Sequence, residues 1–308
     1  MKSLIVDKKT GAGVFSAPYA DDLSEQLRYP EHVAWIDFFR PDYGWLKKEF
    51  GVPSCLLDLC KLRTGVPCIV ADGKYTLFKT MVINSLEETS CRSEITFIFS
   101  RKVLLTLHEA PVKAFSGLEA ESDKVSSILR ESPASLFFYL LSLIMEDYLR
   151  CAERWRALLD VSDAEERTTV SWSSAHRSVS ELYASGSELK RILKRMGSDS
   201  SLMKRSRSRS AYERCVYMAS SLLVVLYGVR QSLAYETAVA RDTNIRRVMG
   251  EVLRMRVALC VTAVFLCAGV SIAAFSWFPI LPAVMFTSGS AAALIISVYF
   301  LHKKRGTP

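Results

Sequence analysis

The stretch AAFSWFPILPAVM, residues 273–285, decides how this chain is read. It carries Pro279 and Pro282 inside the longest apolar region of the sequence, residues 257–301, where 45 consecutive positions hold no Asp, Glu, Lys, Arg or His. A buried helix of a soluble domain has no use for so long an uncharged run. A bilayer core of ~30 Å takes ~20 helical residues at ~1.5 Å each. The run is therefore expected to cross a membrane twice, through residues 257–277 and 280–301. The prolines remove two backbone donors, which a helix start tolerates better than a helix middle. Trp277, Phe278 and Pro279 form the expected turn, with their aromatic rings at headgroup level.

Charge sets the orientation. The 308 residues carry a formal net charge of +8, and 50% are hydrophobic, enough for a folded domain beside a membrane hairpin. Arg246, Arg247, Arg254 and Arg256 precede the first span, and His302, Lys303, Lys304 and Arg305 follow the second. The positive-inside bias puts both flanks in the cytoplasm and the turn outside. The opening MKSLIVDKKTG offers only a short apolar run before charge returns, too short for a signal peptide. Eight cysteines include no C-x-x-C pair, so free thiols in a reducing compartment are expected.

The first part of the chain alternates as half-buried strands do. SLIVD at 3–7 and HVAWID at 32–37 are strand-like, and CIVA, Asp72-Gly73 and YTLFKTMVI give a hairpin signal. EITFIF, a turn at Ser100, Arg101 and Lys102, and VLLTLHE give another. Between them PDYGWLKKEFG is helical by spacing and closes on Gly51.

A second regime begins at Ser132. SPASLFFYLLSLIMEDYLRCAERWRALL has Ser at an N-cap, Pro in the first turn and apolar residues at helical spacing. Val179, Leu182, Gly186, Leu189, Leu193 and Met196 form a seam for packing against another helix, with Gly186 its weak point. GSDSSLMKRSRSRS, residues 197–210, reads as a loop between antiparallel helices. Beyond it Leu222, Leu226, Val229 and Leu233 restart the seam, and Ile245, Val248, Val252, Met255 and Leu259 carry it into the first span. No proline interrupts residues 212–277, so a single rod of ~100 Å is expected. The apolar stretches 135–145 and 215–229 are too short to span a bilayer and read as buried packing.

Several function classes find no support. The Arg-Ser run lacks stacking aromatics or an RNA-binding motif, so no nucleic-acid partner is expected. Cys55, Cys60, Cys68, Cys91, His32 and His108 fit no zinc-finger spacing. His108 and Glu109 end a strand without a partnered nucleophile, so no enzyme constellation is present. Glu146 and Asp147, mid-helix in an apolar stretch, either pair with Arg150 or Arg154 or give carboxylates to a cytosolic metal-sensing contact between subunits.

Several stretches together resemble the CorA family of divalent cation transporters: WIDFFRPDYGWLKKEFGV with LLDLCK, the hairpin ending in LLTLHE, SPASLFFYLLSLIMEDYL, and FPILPAVM through VYFLHKKR. The resemblance spans most of residues 30–305. It departs where the family ends its first span with Ala-Gly, two residues and Gly-Met-Asn, whose Asn contributes to the outer mouth of the pore. Here Ala268, Gly269, Val270 and Ser271 lead into Ile272, Ala273 and Ala274, so the amide is missing. The outer turn also lacks a carboxylate with which to concentrate cations.

The expected protein is thus an α+β membrane protein. Its parts are a cytosolic N-terminal α/β domain (1–130), a coiled-coil-like helical stalk (131–256), a transmembrane helical hairpin (257–302) and a basic cytosolic tail (303–308). The resemblance implies a homopentamer in the inner membrane, with both termini cytoplasmic, passing Mg²⁺ or another divalent cation (Co²⁺, Ni²⁺, Zn²⁺) through a central pore, with no bound cofactor. Val248, Val252, Met255, Leu259, Thr262 and Ser271 are the expected pore-lining residues. A hydrophobic constriction of this kind gates by dewetting or serves only oligomer packing. The Ile272-Ala273-Ala274 replacement favours a competing reading, a non-conducting relative with a regulatory or scaffolding role.

Overall fold

A computed structural model describes residues 2–10, 13–16, 27–83, 92–160, 172–198 and 206–277. Seven strands form one mixed sheet: β1 (Lys2–Asp7), β2 (Gly13–Ser16), β3 (His32–Phe39), β4 (Cys68–Asp72), β5 (Tyr75–Ile83), β6 (Arg92–Phe99) and β7 (Val103–His108). Their order is β2-β1-β3-β7-β6-β5-β4. The β4–β5 and β6–β7 hairpins stand where the turn residues put them. β3 pairs in parallel with β7, whereas the other neighbours are antiparallel.

Two short helices cover one face of the sheet. In α1 (Tyr43–Phe50) the Asp42 carboxylate accepts the amides of Gly44 and Trp45, at 2.9 and 3.2 Å. Gly51 ends the helix at φ 63°, a left-handed conformation that glycine adopts without a Cβ penalty. With α2 (Ser54–Lys61) it buries Leu46, Phe50, Leu56 and Leu57 against Ile36, Leu77, Ile98 and Leu105.

Helices α3 (Ser122–Glu131) and α4 (Pro133–Asp160) cover the other face. Ser132 joins them: its amide ends α3 on the Ile128 carbonyl, and its hydroxyl accepts the Ser135 amide at 3.0 Å, capping α4. Phe137 of α4 packs its ring within 5.2 Å of Phe78, Phe97 and Phe99 of the sheet. α5 (Trp172–Ser198) and the first part of α6 (Ser206–Trp277) extend this core. The seam Val179, Leu182, Leu189, Leu193 and Met196 is buried, as are Leu222, Leu226, Val229 and Leu233. The stretches 135–145 and 215–229 are core packing, as their length implied.

The expected loop at 197–210 is shorter than its composition suggests. α5 runs to Ser198 and α6 begins at Ser206, inside the Arg-Ser run, where Arg209 pairs with Glu213 one turn on at 3.1 Å. Arginine is a good helix former, and this pairing lets the polar run propagate a helix. Two elements carried no clear sequence signal, the edge strand β2 and the polar helix α3. They approach closely: a Cβ added at Gly13 would lie 2.4 Å from the Ser126 hydroxyl.

Contact density divides the chain between Thr237 and Ala238. Among the described residues, those of α4, α5 and the first part of α6 share one core with the sheet. α6 is one continuous helix of 72 residues that begins in the first unit and ends in the second. The expected turn at Trp277–Pro279, the second span and the basic tail lie outside the described residues, apart from Trp277, which ends α6.

Candidate functional site

The second unit is described as helix α6 from Ala238 onward. Val248, Val252, Met255 and Leu259 are 57, 46, 66 and 64% exposed. Met249, Leu253 and Phe265, pointing elsewhere around the helix, are exposed to a similar degree. A helix apolar on every side is normally buried in other protein or in lipid. Among the described residues, however, no helix is long and apolar enough to cross a membrane. The helix's side chains are described as far as Leu266, part of the way into the uncharged run 257–301.

Several polar groups of this segment find partners on the helix itself. The Thr262 hydroxyl donates to the Ala258 carbonyl at 2.7 Å and lies 3.1 Å from that of Leu259. Arg246 pairs with Asp242 and Arg247 with Glu251, at 2.9 and 3.5 Å. The helical backbone continues through Ser271, Ile272, Ala273 and Ala274, whose side chains lie outside the described residues.

Glu146 and Asp147 each pair with a separate arginine. Asp147 pairs with Arg150 on its own helix at 3.4 Å, as the spacing allowed. Glu146 instead reaches Arg214 of α6 at 2.7 Å, a long-range partner the local spacing could not show. Burial pushes the Asp147 carboxyl above its usual range and neighbouring Glu146 adds to this, while Arg150 and Lys113 partly offset it. Among the described residues no group of three or more His, Cys, Asp or Glu is placed to hold a metal ion.

The thiols are equally local in effect. Burial pushes both Cys60 and Cys215 up to about 12, so neither is a thiolate at neutral pH. Cys55 sits with its sulfur 2.8 Å from Asp72.

One polar network was not anticipated. His108 pairs with Asp37 of the parallel neighbour β3, its Nε2 3.1 Å from Oδ1, while Glu109 turns to Arg63 at 3.1 Å. The same Asp37 oxygen accepts the Thr106 hydroxyl, and Thr106 accepts the Trp35 indole N–H at 3.2 Å. The His108 Nδ1 lies 2.8 Å from the Ala110 carbonyl, which can only accept. The nitrogen therefore donates there, which leaves Nε2 facing Asp37. The available signal was parity: Asp37 and His108 both stand at positions of their strands that face the α3–α4 layer.

Fold and site together define a class, an α/β domain whose helix α6 runs on with exposed apolar side chains toward the uncharged run. A sequence comparison matches residues 30–232 to the CorA-like Mg²⁺ transporter protein family, and the chain belongs to that family. It is a family of transporters rather than enzymes. The match ends at residue 232, ahead of the uncharged run. No curated protein matches the chain in sequence.

Solved structures share the fold. Full-length CmaX superposes with a TM-score of 0.63 at 13% identity, over 98% of this chain and 97% of that one. The complete CorA magnesium transporter from Methanocaldococcus jannaschii gives 0.61 at 17% identity, over 97% of both chains. The ZntB cytoplasmic domain from Vibrio parahaemolyticus gives 0.59 at 14% identity, over 80% of this chain and 98% of that one.

Proposed function

We propose that this protein assembles with copies of itself in the inner membrane, both termini cytoplasmic, and passes a divalent cation, Mg²⁺ foremost, through a central pore. By family resemblance the assembly is a pentamer, with Co²⁺, Ni²⁺ and Zn²⁺ as further candidate ions. The observation that carries this reading is the exposure of Val248, Val252, Met255 and Leu259 at spacings of four and three, on a helix that leads from the domain into the uncharged run. Such a row suits a symmetric bundle, with each copy covering its neighbour's apolar side. A ring of these side chains around the axis forms a constriction that gates by dewetting.

At ~100° per residue Thr262 continues the row.

The test is Mg²⁺ uptake into proteoliposomes carrying the purified full chain. Flux above empty vesicles supports the reading. The Ile272-Ala273-Ala274 replacement favours a second one, a non-conducting member of the family with a regulatory or scaffolding role. Absence of flux for all four ions from an intact oligomer would establish it.

A further inference from the structure

A cavity of about 270 Å³ lies at the carboxyl ends of the parallel strands β3 and β7, under the turn that carries Phe115. Carboxyl ends of parallel strands are where open α/β sheets commonly receive ligands. Its walls include Trp35, Phe115, Val112 and Leu118, and its polar groups include Lys2, Asp37, His108 and Glu119. The volume approaches twice the ~150 Å³ of a cavity that holds benzene.

Hydrogen-bond accounting shows what such a cavity can take. Apart from Lys2 the neighbouring donors have partners: both His108 nitrogens, the Thr106 hydroxyl and the Trp35 indole make the contacts described above, and the Ser116 hydroxyl donates to the Lys113 carbonyl at 2.7 Å. Lys2 holds Glu119 at 2.5 Å. The acceptors are in surplus. Among the described residues Asp37 receives all its hydrogen bonds on Oδ1, leaving its second oxygen unpaired, and Glu119 binds Lys2 through one oxygen only. Two carboxylates, Asp37 and Glu119, stand beside the single ammonium of Lys2, so the occupant that complements this cavity brings donors and a positive charge, together with a short hydrocarbon body for the aromatic walls. Aromatic faces favour an ammonium group as well. A bare divalent cation suits the site poorly, because it needs several oxygens at short range and most of this wall is apolar.

We propose that this cavity binds a small organic ammonium, a primary amine on a short alkyl chain, with its charged end at Asp37 and Glu119 and its chain against Trp35 and Phe115. The site stands apart from α6 and holds whether or not the protein conducts ions.

The experiment is isothermal titration of the full chain in detergent with n-butylammonium chloride. Sodium butyrate, the same chain with the opposite charge, and MgCl₂ are the comparison titrants. The expected result is one butylammonium bound per chain, no heat from butyrate, and no competition by MgCl₂ beyond its ionic strength. Glu119→Gln, at an exposed position, should weaken binding by roughly 10-fold, the worth of one charge-assisted hydrogen bond. Asp37→Asn should abolish it. Because Asp37→Asn also breaks the His108 pair, Glu119→Gln and the butyrate comparison decide the matter if that variant misfolds. No heat from butylammonium, equal binding of butyrate, displacement by stoichiometric Mg²⁺, or an unchanged affinity in Glu119→Gln each overturns the proposal.

Discussion

Lys79 of β5 and Glu94 of β6 form an ion pair at 2.9 Å in which the lysine side chain is only 2% exposed. The pair fastens the end of α2. Lys79 also donates to the carbonyls of Leu59, Cys60 and Leu62, the last groups of a helix that lack partners within it. Glu94 accepts the amides of Thr64 and Gly65, both at 2.7 Å, in the chain that follows. Removing one partner leaves the other charge buried and unpaired, so Lys79→Met should cost about 3–5 kcal/mol in chemical denaturation of the full chain. Adding Glu94→Gln to Lys79→Met should recover part of that loss. If Lys79→Met unfolds within 1 kcal/mol of the parent, roughly the value of an exposed pair, the fastening role is wrong.

Glu94 also ties the fold to pH. Burial pushes its carboxyl up, but the Lys79 and backbone hydrogen bonds and the lysine's charge outweigh this and hold it below the ordinary value of 4.5. A carboxyl depressed in the folded state adds stability above its ordinary value and loses it as pH falls through the folded one. The difference in Tm between parent and Glu94→Gln should be constant above about pH 5 and shrink below it. Asp147 has the opposite sign. Its carboxyl is raised above the ordinary 3.8, so the folded state holds the proton more tightly and stability falls as pH rises from 3.8 through the folded value. Asp147→Asn should raise Tm near neutral pH and leave it unchanged below 3.8, since the exposed Arg150 it forfeits is worth little. A drop in Tm at neutral pH would show that Arg150 and Lys113 matter more than burial.

Local chemistry made most of the elements legible. Gly51, Asp72-Gly73 and Ser132 each announced a boundary, and alternation or helical spacing filled the stretches between. The parallel pairing of β3 with β7 was not legible, because Asp37 and Thr106 meet across 69 residues. For the same reason the Asp37–His108 pair went unseen and Glu146 found Arg214 rather than a neighbour on its own helix. Strand β2 and helix α3 were missed because four residues and a polar surface carry little periodicity. On α6 the sequence marked an apolar row, but a single chain leaves every side of that helix exposed, so the row's partner is not a property of local sequence.

Gly186, the weak point of the α5 seam, faces Leu222 and Leu223 of α6. A Cβ there would lie 3.4 Å from the nearest Leu223 methyl and 3.5 Å from Leu222, ordinary contact distances. Helix-interior glycine costs about 1 kcal/mol relative to alanine, so Gly186→Ala should stabilise the full chain by up to that amount. Gly186→Leu should instead cost about 1–3 kcal/mol, because the extra atoms must enter a packed interface. Denaturant midpoints for the two variants give the answer. Destabilisation by the alanine variant would mean that α5 and α6 approach more closely than these distances allow.

The last prediction concerns the missing amide. Mg²⁺ gives up water reluctantly and passes a pore mouth held through its hydration shell by oxygen dipoles. Alanine at 274 supplies none, and the whole triplet Ile272, Ala273 and Ala274 lacks a polar side chain. Under the proposed function, the triple variant Ile272→Gly, Ala273→Met, Ala274→Asn should raise Mg²⁺ uptake into proteoliposomes. A hydrogen bond gained at the barrier, worth ~1–1.5 kcal/mol, corresponds to about a tenfold increase in rate. A conducting parent that the triple variant leaves unchanged would place the rate-limiting barrier elsewhere, with Val252, Met255 and Leu259 the next positions to substitute. A silent parent that gains flux would show a pore complete except for its mouth. A silent parent and a silent variant, both assembled to the same size, would leave the scaffold reading in place.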